Sequence, residues 1–242
     1  MNAPTSANPA GCDVELPVAG IIPFSATDWP GKLTCTIFTQ GCMWTCTYCH
    51  NPTLQPITPG EHTFTSVLDL LDQRHGLIDA LVISAGSAMN GRLESKTMEE
   101  WDNYYSNDTL LVLRTTRMLL PRLREAAEHH GIADIVVMGS IAGTTAFEDA
   151  AVYGSISAAR NALGEQLRLE LRGERIRART IATGYVETPL TKRMSMNAVT
   201  EQMGQDPLRP RDIAEIVHHG INLPPEVTVH NIVVVPTKQG WA

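Results

Sequence analysis

Three cysteines, Cys42, Cys46 and Cys49, stand at C-x3-C-x2-C spacing within the stretch GCMWTCTYCHN. Three thiolates so spaced can wrap one iron–sulfur cluster and leave a fourth iron open to a small chelating molecule, although four protein thiolates are the usual set. Zinc competes for the same residues: a structural zinc site wants four ligands, and His50 can supply the fourth. The plainer alternative is unliganded buried thiols, for which a polar loop provides no packing reason. Other chemistry-bearing types are scattered. The pairs His129-His130 and His218-His219 fall at helix ends, where an imidazolium favours the helix dipole. Cys12 and Cys35 have no partner motif, and Met194, Met196 and Met203 read as loop packing.

The elements that must position these residues follow from hydrophobic pattern. Five near-continuous apolar runs predict strands at Cys35–Thr39, Ala80–Ser84, Asp134–Met138, Arg177–Ala182 and Asn231–Val235, as expected for strands buried on both faces of a parallel sheet. Helical spacing predicts helices over Thr65–Arg74, Thr97–His130, Ala151–Arg172 and Asp212–His219, with Pro121 breaking or kinking the second. Strands alternating with helices mean an α/β fold. The cysteine loop then follows a strand's carboxyl end, where α/β folds place their chemistry. Gly184–Pro210 lacks periodicity and reads as a lid.

Composition narrows the function classes. The 242 residues are 43 % hydrophobic, enough for a real core. A net charge of −7 argues against nucleic acid, since phosphate binding wants a basic face. No apolar run reaches the length of a membrane span. The first residues show no basic segment leading into an apolar one, so a cytoplasmic location is expected, where thiols stay reduced.

From Val18 to Gly86 the chain resembles radical-SAM proteins, in particular the anaerobic ribonucleotide reductase activating proteins. The resemblance rests on PFS, DWPGK, QGCMWTCTYCHN and LLDQRHGLIDALVIS. It implies a [4Fe-4S] cluster on Cys42, Cys46 and Cys49, S-adenosylmethionine on the open iron with Tyr48 and Gly86 beside it, and a glycyl-radical-type protein partner. The family's Gly-Gly-Glu segment is here Ala85-Gly86-Ser87, so the carboxylate that would meet the methionine ammonium is absent.

From Leu81 onward the chain resembles short-chain dehydrogenases/reductases, through Ser84-Ala85-Gly86, GRLESKTMEEWD, LRTTRMLLPRL, IVVMGSIAG, AVYGSISAA, TGYVETPL and VVVPT. That resemblance implies a carbonyl-orienting Ser140, an acid/base Tyr153 thirteen residues later, and Thr188 at a nicotinamide amide. The family's lysine, four residues after the tyrosine, is Ser157, and its helix asparagine falls at Asp108, next to Asn107. A phenol ordinarily titrates near 10, and without a neighbouring cation it is a poor base near neutral pH. No glycine-rich dinucleotide turn occurs in residues 1–80. NAD(P) is therefore not expected, and Ser140 and Tyr153 read as inherited polar residues hydrogen-bonded at the sheet's rim.

The two resemblances meet at one strand, as in a fusion. The organisation expected is a flexible 1–17, an iron–sulfur segment 18–86 and a dehydrogenase-like segment 87–242. The last two would share one mainly parallel sheet of about five strands in sequential order, a partial barrel or an incomplete Rossmann-like sheet. Right-handed crossovers would put every helix on one face, leaving the other bare and favouring a homo-oligomer. The function expected is an iron–sulfur protein with an incomplete S-adenosylmethionine site. The alternatives are a nicotinamide-dependent oxidoreductase and a scaffold with no complete active site.

Overall fold

The five apolar runs of the sequence become five of the six strands in the computed structural model, which describes residues 18–25, 34–39, 68–69, 71, 73, 76–86, 91–188, 191 and 206–240. The chain divides into two compact units, Met1–Gly76 and Leu77–Ala242. The division falls ahead of the expected boundary at 86, so the strand thought to be shared belongs to the second unit alone.

In the first unit, β1 (Val18–Ser25) pairs with β2 (Thr34–Thr39) as an antiparallel ribbon from Val18↔Thr39 to Ser25↔Thr34, its register shifting between Val18 and Gly20 and between Ile22 and Ser25. The run CTIFT is therefore not a fifth strand of the parallel sheet. The physical reason is the short connection: a parallel pair needs a crossover of roughly a dozen residues or more. Cys35 lies in β2, where burial pushes its thiol up from the ordinary range. The cysteine loop, with Tyr48, lies outside the described residues, as does most of the predicted helix Thr65–Arg74.

The second unit holds β3 (Ala80–Ile83), β4 (Ala133–Ser140), β5 (Ile176–Thr183) and β6 (Ile232–Val234), all parallel and in sequential order. Between them run α1 (Met98–Tyr105), α2 (Leu111–His130), α3 (Ala151–Glu170) and α4 (Pro210–Ile221). A capping box starts α1: Thr97 accepts from the Glu100 amide, and the Glu100 carboxylate accepts from the Thr97 amide. Gly131, at φ 88°, ends α2 in the left-handed conformation that glycine adopts without cost. The long predicted helix is interrupted, but not at Pro121, which sits exposed within continuous α2. The break is a π turn at Ser106–Leu110, which carries Asp108 inward.

Helices cover both faces of the sheet, contrary to the one-faced arrangement expected. Ile135 and Val137 of β4 pack with Val112, Leu123 and Ala126 of α2 and with Leu163 and Leu167 of α3. The alternate residues Val136 and Met138 pack with Ile213 and Val217 of α4. Strand side chains alternate between faces, so α4 lies opposite α2 and α3. In a sequential parallel sheet this gives the last connection the opposite hand to the two before it. Burying each of these large side chains stabilises the fold by about 1.5–3 kcal/mol. With α4 over Val136 and Ile181, the sheet is an open one rather than a partial barrel, while Val82 of β3, in register with Val136 on that same face, stays exposed. Among the described residues, no helix is long and apolar enough to cross a membrane.

Candidate active site

Parallel strands bring their carboxyl ends to one rim, and open α/β sheets bind ligands there. Ser140 is the last residue of β4 and Thr183 the last of β5, while Ala85 and Gly86 follow β3 directly. At Ser140 the chain leaves the strand into the short turn Ile141–Gly143, and the Ser140 Oγ accepts from the Ala142 amide at 3.1 Å. Tyr153 lies in the first turn of α3, and its hydroxyl donates to the Ser140 Oγ at 3.0 Å. Both residues are half-buried. The phenol ring packs against the cluster of Tyr104, Val152 and Ile156. The structure thus joins the two residues that the sequence placed thirteen positions apart.

Two residues that sequence reasoning did not single out shape this rim, one of them against Ser140 itself. The Asn161 side chain reads the Ser140 backbone at both ends: Nδ2 donates to the Ser140 carbonyl at 2.8 Å and Oδ1 accepts from its amide at 3.3 Å. Gly143 completes the fit, because a Cβ there would lie 2.7 Å from the Ser157 carbonyl oxygen. The turn after Ser140 therefore rests on the backbone of α3. The second unforeseen residue is Arg160, whose Nη1 donates to the Ala85 carbonyl at 2.9 Å and to Asp108 Oδ1 at 3.1 Å. The available signal was an arginine on the otherwise small and apolar face of α3. Gly86, expected to line an S-adenosylmethionine pocket, instead makes room for Arg160 and Asp108, since a Cβ there would collide with both.

Thr188 stands on the chain that continues past β5, where Val186 bridges to Leu208. Its amide donates to Thr191 Oγ1 at 2.8 Å, and Thr191 Oγ1 donates to the Val186 carbonyl at 2.7 Å. The structure describes no direct contact between Thr188 and the Ser140–Tyr153 pair. The remainder of the expected lid, apart from Thr191 and residues 206–210, lies outside the described residues. An open groove of about 560 Å³ is lined by Ala142, Gly143, Thr144, Phe147, Gly154 and Ser155, with Gly91 and Arg92 also on its walls. These residues flank Ser140 and Tyr153 without including either, and the volume suits a small molecule.

The residues present fit the nicotinamide end of a dinucleotide. The rim carries a paired serine and tyrosine hydroxyl, and Arg160 Nε is a buried donor with no partner among the described residues. Ser157, at the position of the family's lysine, is buried. Among the described residues, no three His, Cys, Asp or Glu side chains gather to hold a metal ion.

Residues 58–198 match the family model described as short chain dehydrogenase. Among curated proteins, the chain is 28 % identical to sulfoacetaldehyde reductase 2 of Chromohalobacter salexigens, over 75 % of this chain and 73 % of that one. It is 30 % identical to an uncharacterized oxidoreductase of Listeria monocytogenes, over 72 % of this chain and 71 % of that one. Among solved structures, serine dehydrogenase complexed with NADP+ superposes with a TM-score of 0.63 at 24 % identity, over 74 % of each chain. The 3-ketoacyl-(acyl-carrier-protein) reductase of Brucella melitensis complexed with NADH gives 0.63 at 23 %, over 72 % of each.

These matches overturn the iron–sulfur expectation, together with its S-adenosylmethionine and glycyl-radical partner. A cysteine loop is a local motif of a few residues, whereas the dehydrogenase match runs in order from 58 to 198. The expectation against NAD(P) is overturned with it by the family match; two solved proteins of this fold are complexed with NADP+ and NADH.

Proposed function

The chain belongs to the short-chain dehydrogenase family, and from that premise we propose that it is a nicotinamide-dependent oxidoreductase interconverting a carbonyl and an alcohol at Ser140 and Tyr153. The observation that carries this reading is the 3.0 Å hydrogen bond from the Tyr153 hydroxyl to Ser140 Oγ at the carboxyl rim of the sheet. Two hydroxyls so placed can converge on one substrate oxygen. A carbonyl oxygen entering beside them takes the Tyr153 hydrogen bond in place of Ser140, and Ser140 turns its own proton to the same oxygen. Tyr153 then passes its proton to that oxygen as negative charge develops on it, and the phenolate is reprotonated from solvent. In the opposite direction the phenolate accepts the alcohol's proton. The bound nicotinamide supplies or accepts the hydride. The residues that would hold it are Thr188, toward the carboxamide, and the rim residues after β3.

Support for the substrate class comes from the relatives, one named for reduction of an aldehyde and another for a 3-ketoacyl group. Asn161 and Gly143 hold Ser140 at a fixed distance from the phenol, so proton transfer does not wait on loop motion.

The test is titration of NADH and NADPH fluorescence with the protein, followed by turnover of an aldehyde and ketone panel monitored by nucleotide absorbance. Binding of either nucleotide and Tyr153-dependent turnover are the expected results. No nucleotide binding at any concentration up to the millimolar range would overturn the reading.

A further inference from the structure

The groove that flanks Ser140 and Tyr153 has a floor of small residues: Ala142 and Gly143 in the turn after Ser140, and Ala150, Ala151 and Gly154 around the start of α3. A Cβ on Gly154 would lie 3.3 Å from the Ala142 carbonyl oxygen, so the helix start rests on that turn. Residues 91–94 form the opposite wall. The Gly91 amide donates to the Asp149 carbonyl at 2.7 Å, which pins one wall to the other. Most polar groups that line this space are already used. Thr144 Oγ1 donates to the Ile141 carbonyl, Ser155 Oγ donates to the Val152 carbonyl, and Arg92 Nε donates to Glu94 at 2.6 Å. That last hydrogen bond holds the Glu94 carboxyl below the usual range, and Glu94 in turn balances the Arg92 charge. Two lining side chains, Thr145 and Asp149, have no partner among the described residues. The groove therefore presents a hydroxyl and one unbalanced carboxylate. Asp149 is held at φ 55°, in the left-handed region that aspartate tolerates better than most residues. A space lined by net negative charge favours a cationic ligand.

We propose that this groove selects alcohols and carbonyl compounds that bear an ammonium group, with Asp149 as the specificity-determining residue and the Thr145 hydroxyl as a second acceptor. This rests on the nicotinamide reading above and names its substrate class. The ammonium lies in the groove while the reacting carbon sits at Ser140 and Tyr153. In oxidation of an amino alcohol, the hydride of that carbon passes to oxidised nicotinamide and the hydroxyl proton to the Tyr153 phenolate; the ammonium is unchanged. A carboxylate in its place meets Asp149 with like charge, and Glu94 already occupies Arg92. An Asp149 that serves only as a solvated surface group predicts no discrimination between a cation and its neutral isostere.

The experiment measures kcat/KM of the full chain near neutral pH for three alcohols of similar size, with whichever oxidised nucleotide it binds. Isopropanolamine carries a cation, sec-butanol no charge and lactate an anion. Wild type should prefer isopropanolamine to sec-butanol by about fivefold, the worth of an ion pair at an open site, and lactate should be the poorest of the three. The preference should reside in KM and shrink as salt rises from about 0.05 to about 0.5 M, because an open ion pair is screened. D149N keeps the shape of the side chain, and asparagine also tolerates the positive φ. Its ratio of isopropanolamine to sec-butanol should fall to about one. If none of the three turns over, calorimetric binding to the nucleotide complex supplies the same comparison. A wild type without preference for isopropanolamine overturns the proposal, and so does a D149N protein that retains the preference. A protein that binds neither nucleotide overturns the nicotinamide reading and this proposal with it, whereas one that binds nucleotide and does not distinguish the three overturns the substrate class alone.

Discussion

The Tyr153 hydroxyl reaches Ser140 Oγ at 3.0 Å because two elements converge: the last residue of β4 and the first turn of α3. If the pair is the reacting centre, Y153F removes the transferable proton and leaves the ring in its pocket. Turnover should fall about 10²–10⁴-fold, with thermal stability and nucleotide affinity nearly unchanged. S140A removes one of two hydrogen bonds to the developing oxyanion and should cost about 10²-fold. Steady-state kinetics with circular dichroism as the folding control makes the check; a Y153F protein with wild-type turnover counts against the assignment.

Asn161 holds the Ser140 backbone amide and carbonyl together. In N161A both groups lose their partner, and a void opens beside Gly139 and Gly143. The loss in stability should be about 1–3 kcal/mol, read from the urea midpoint. Turnover should drop more than nucleotide affinity does, because Ser140 moves while the rest of the rim stays. Equal effects on both would point to general loosening instead.

Asp134 carries two arginines. Arg177 grips it twice, Nε to Oδ1 at 3.0 Å and Nη2 to Oδ2 at 2.8 Å, and Arg179 donates to Oδ1 as well. Burial pushes the Asp134 carboxyl up, against the opposing pull of both arginines. Arg177 also donates to the Ile221, Leu223, Pro224 and Val227 carbonyls, tying the end of α4 to the sheet. D134N strands two buried cations and should cost about 3–5 kcal/mol. R179M should be neutral or stabilising, since Arg179 is fully buried and its Nε and Nη1 have no partner among the described residues. Urea denaturation of both variants gives the contrast. Equal destabilisation would show that Arg179 is fully satisfied.

Two helix starts are acid-sensitive. The Glu100 carboxylate accepts from the Thr97 amide at 2.7 Å, and this backbone hydrogen bond holds its pKa below the usual range. The Arg209 side chain, with its amide, does the same for Asp212. A depressed folded pKa contributes stability above the unfolded value of about 4, and that stability is lost as pH falls through the folded value. The double variant E100Q/D212N should be less stable than wild type near neutral pH and should lose less on acidification to about pH 3. Parallel stability curves for the two proteins would contradict the assignment.

The strands of the parallel sheet were legible in the sequence because each is a short β-branched run, and β3, β4, β5 and β6 lie where the pattern put them. CTIFT was legible as a strand but not as a partner: its pairing with β1 depends on a connection whose length excludes a parallel crossover, not on its own residues. The face taken by α4 was hidden for a similar reason. Alternation tells that Val136 and Ile135 point apart, but not which helix crosses to meet each.

Residue identity alone determined that Ser140 and Tyr153 stand thirteen apart, that Ser157 is not a lysine, and that the chain is α/β. The cysteine motif was equally plain in the sequence, and it drew the functional reading away from the longer, weaker pattern. Only the tertiary structure decided what surrounds the tyrosine. Arg160, Asp108 and Ala85 are separated by 52 and 75 positions along the chain, and such distant residues meet only when α3 packs across the ends of β3 and the π turn. A local pattern carries no record of a contact made by the fold as a whole.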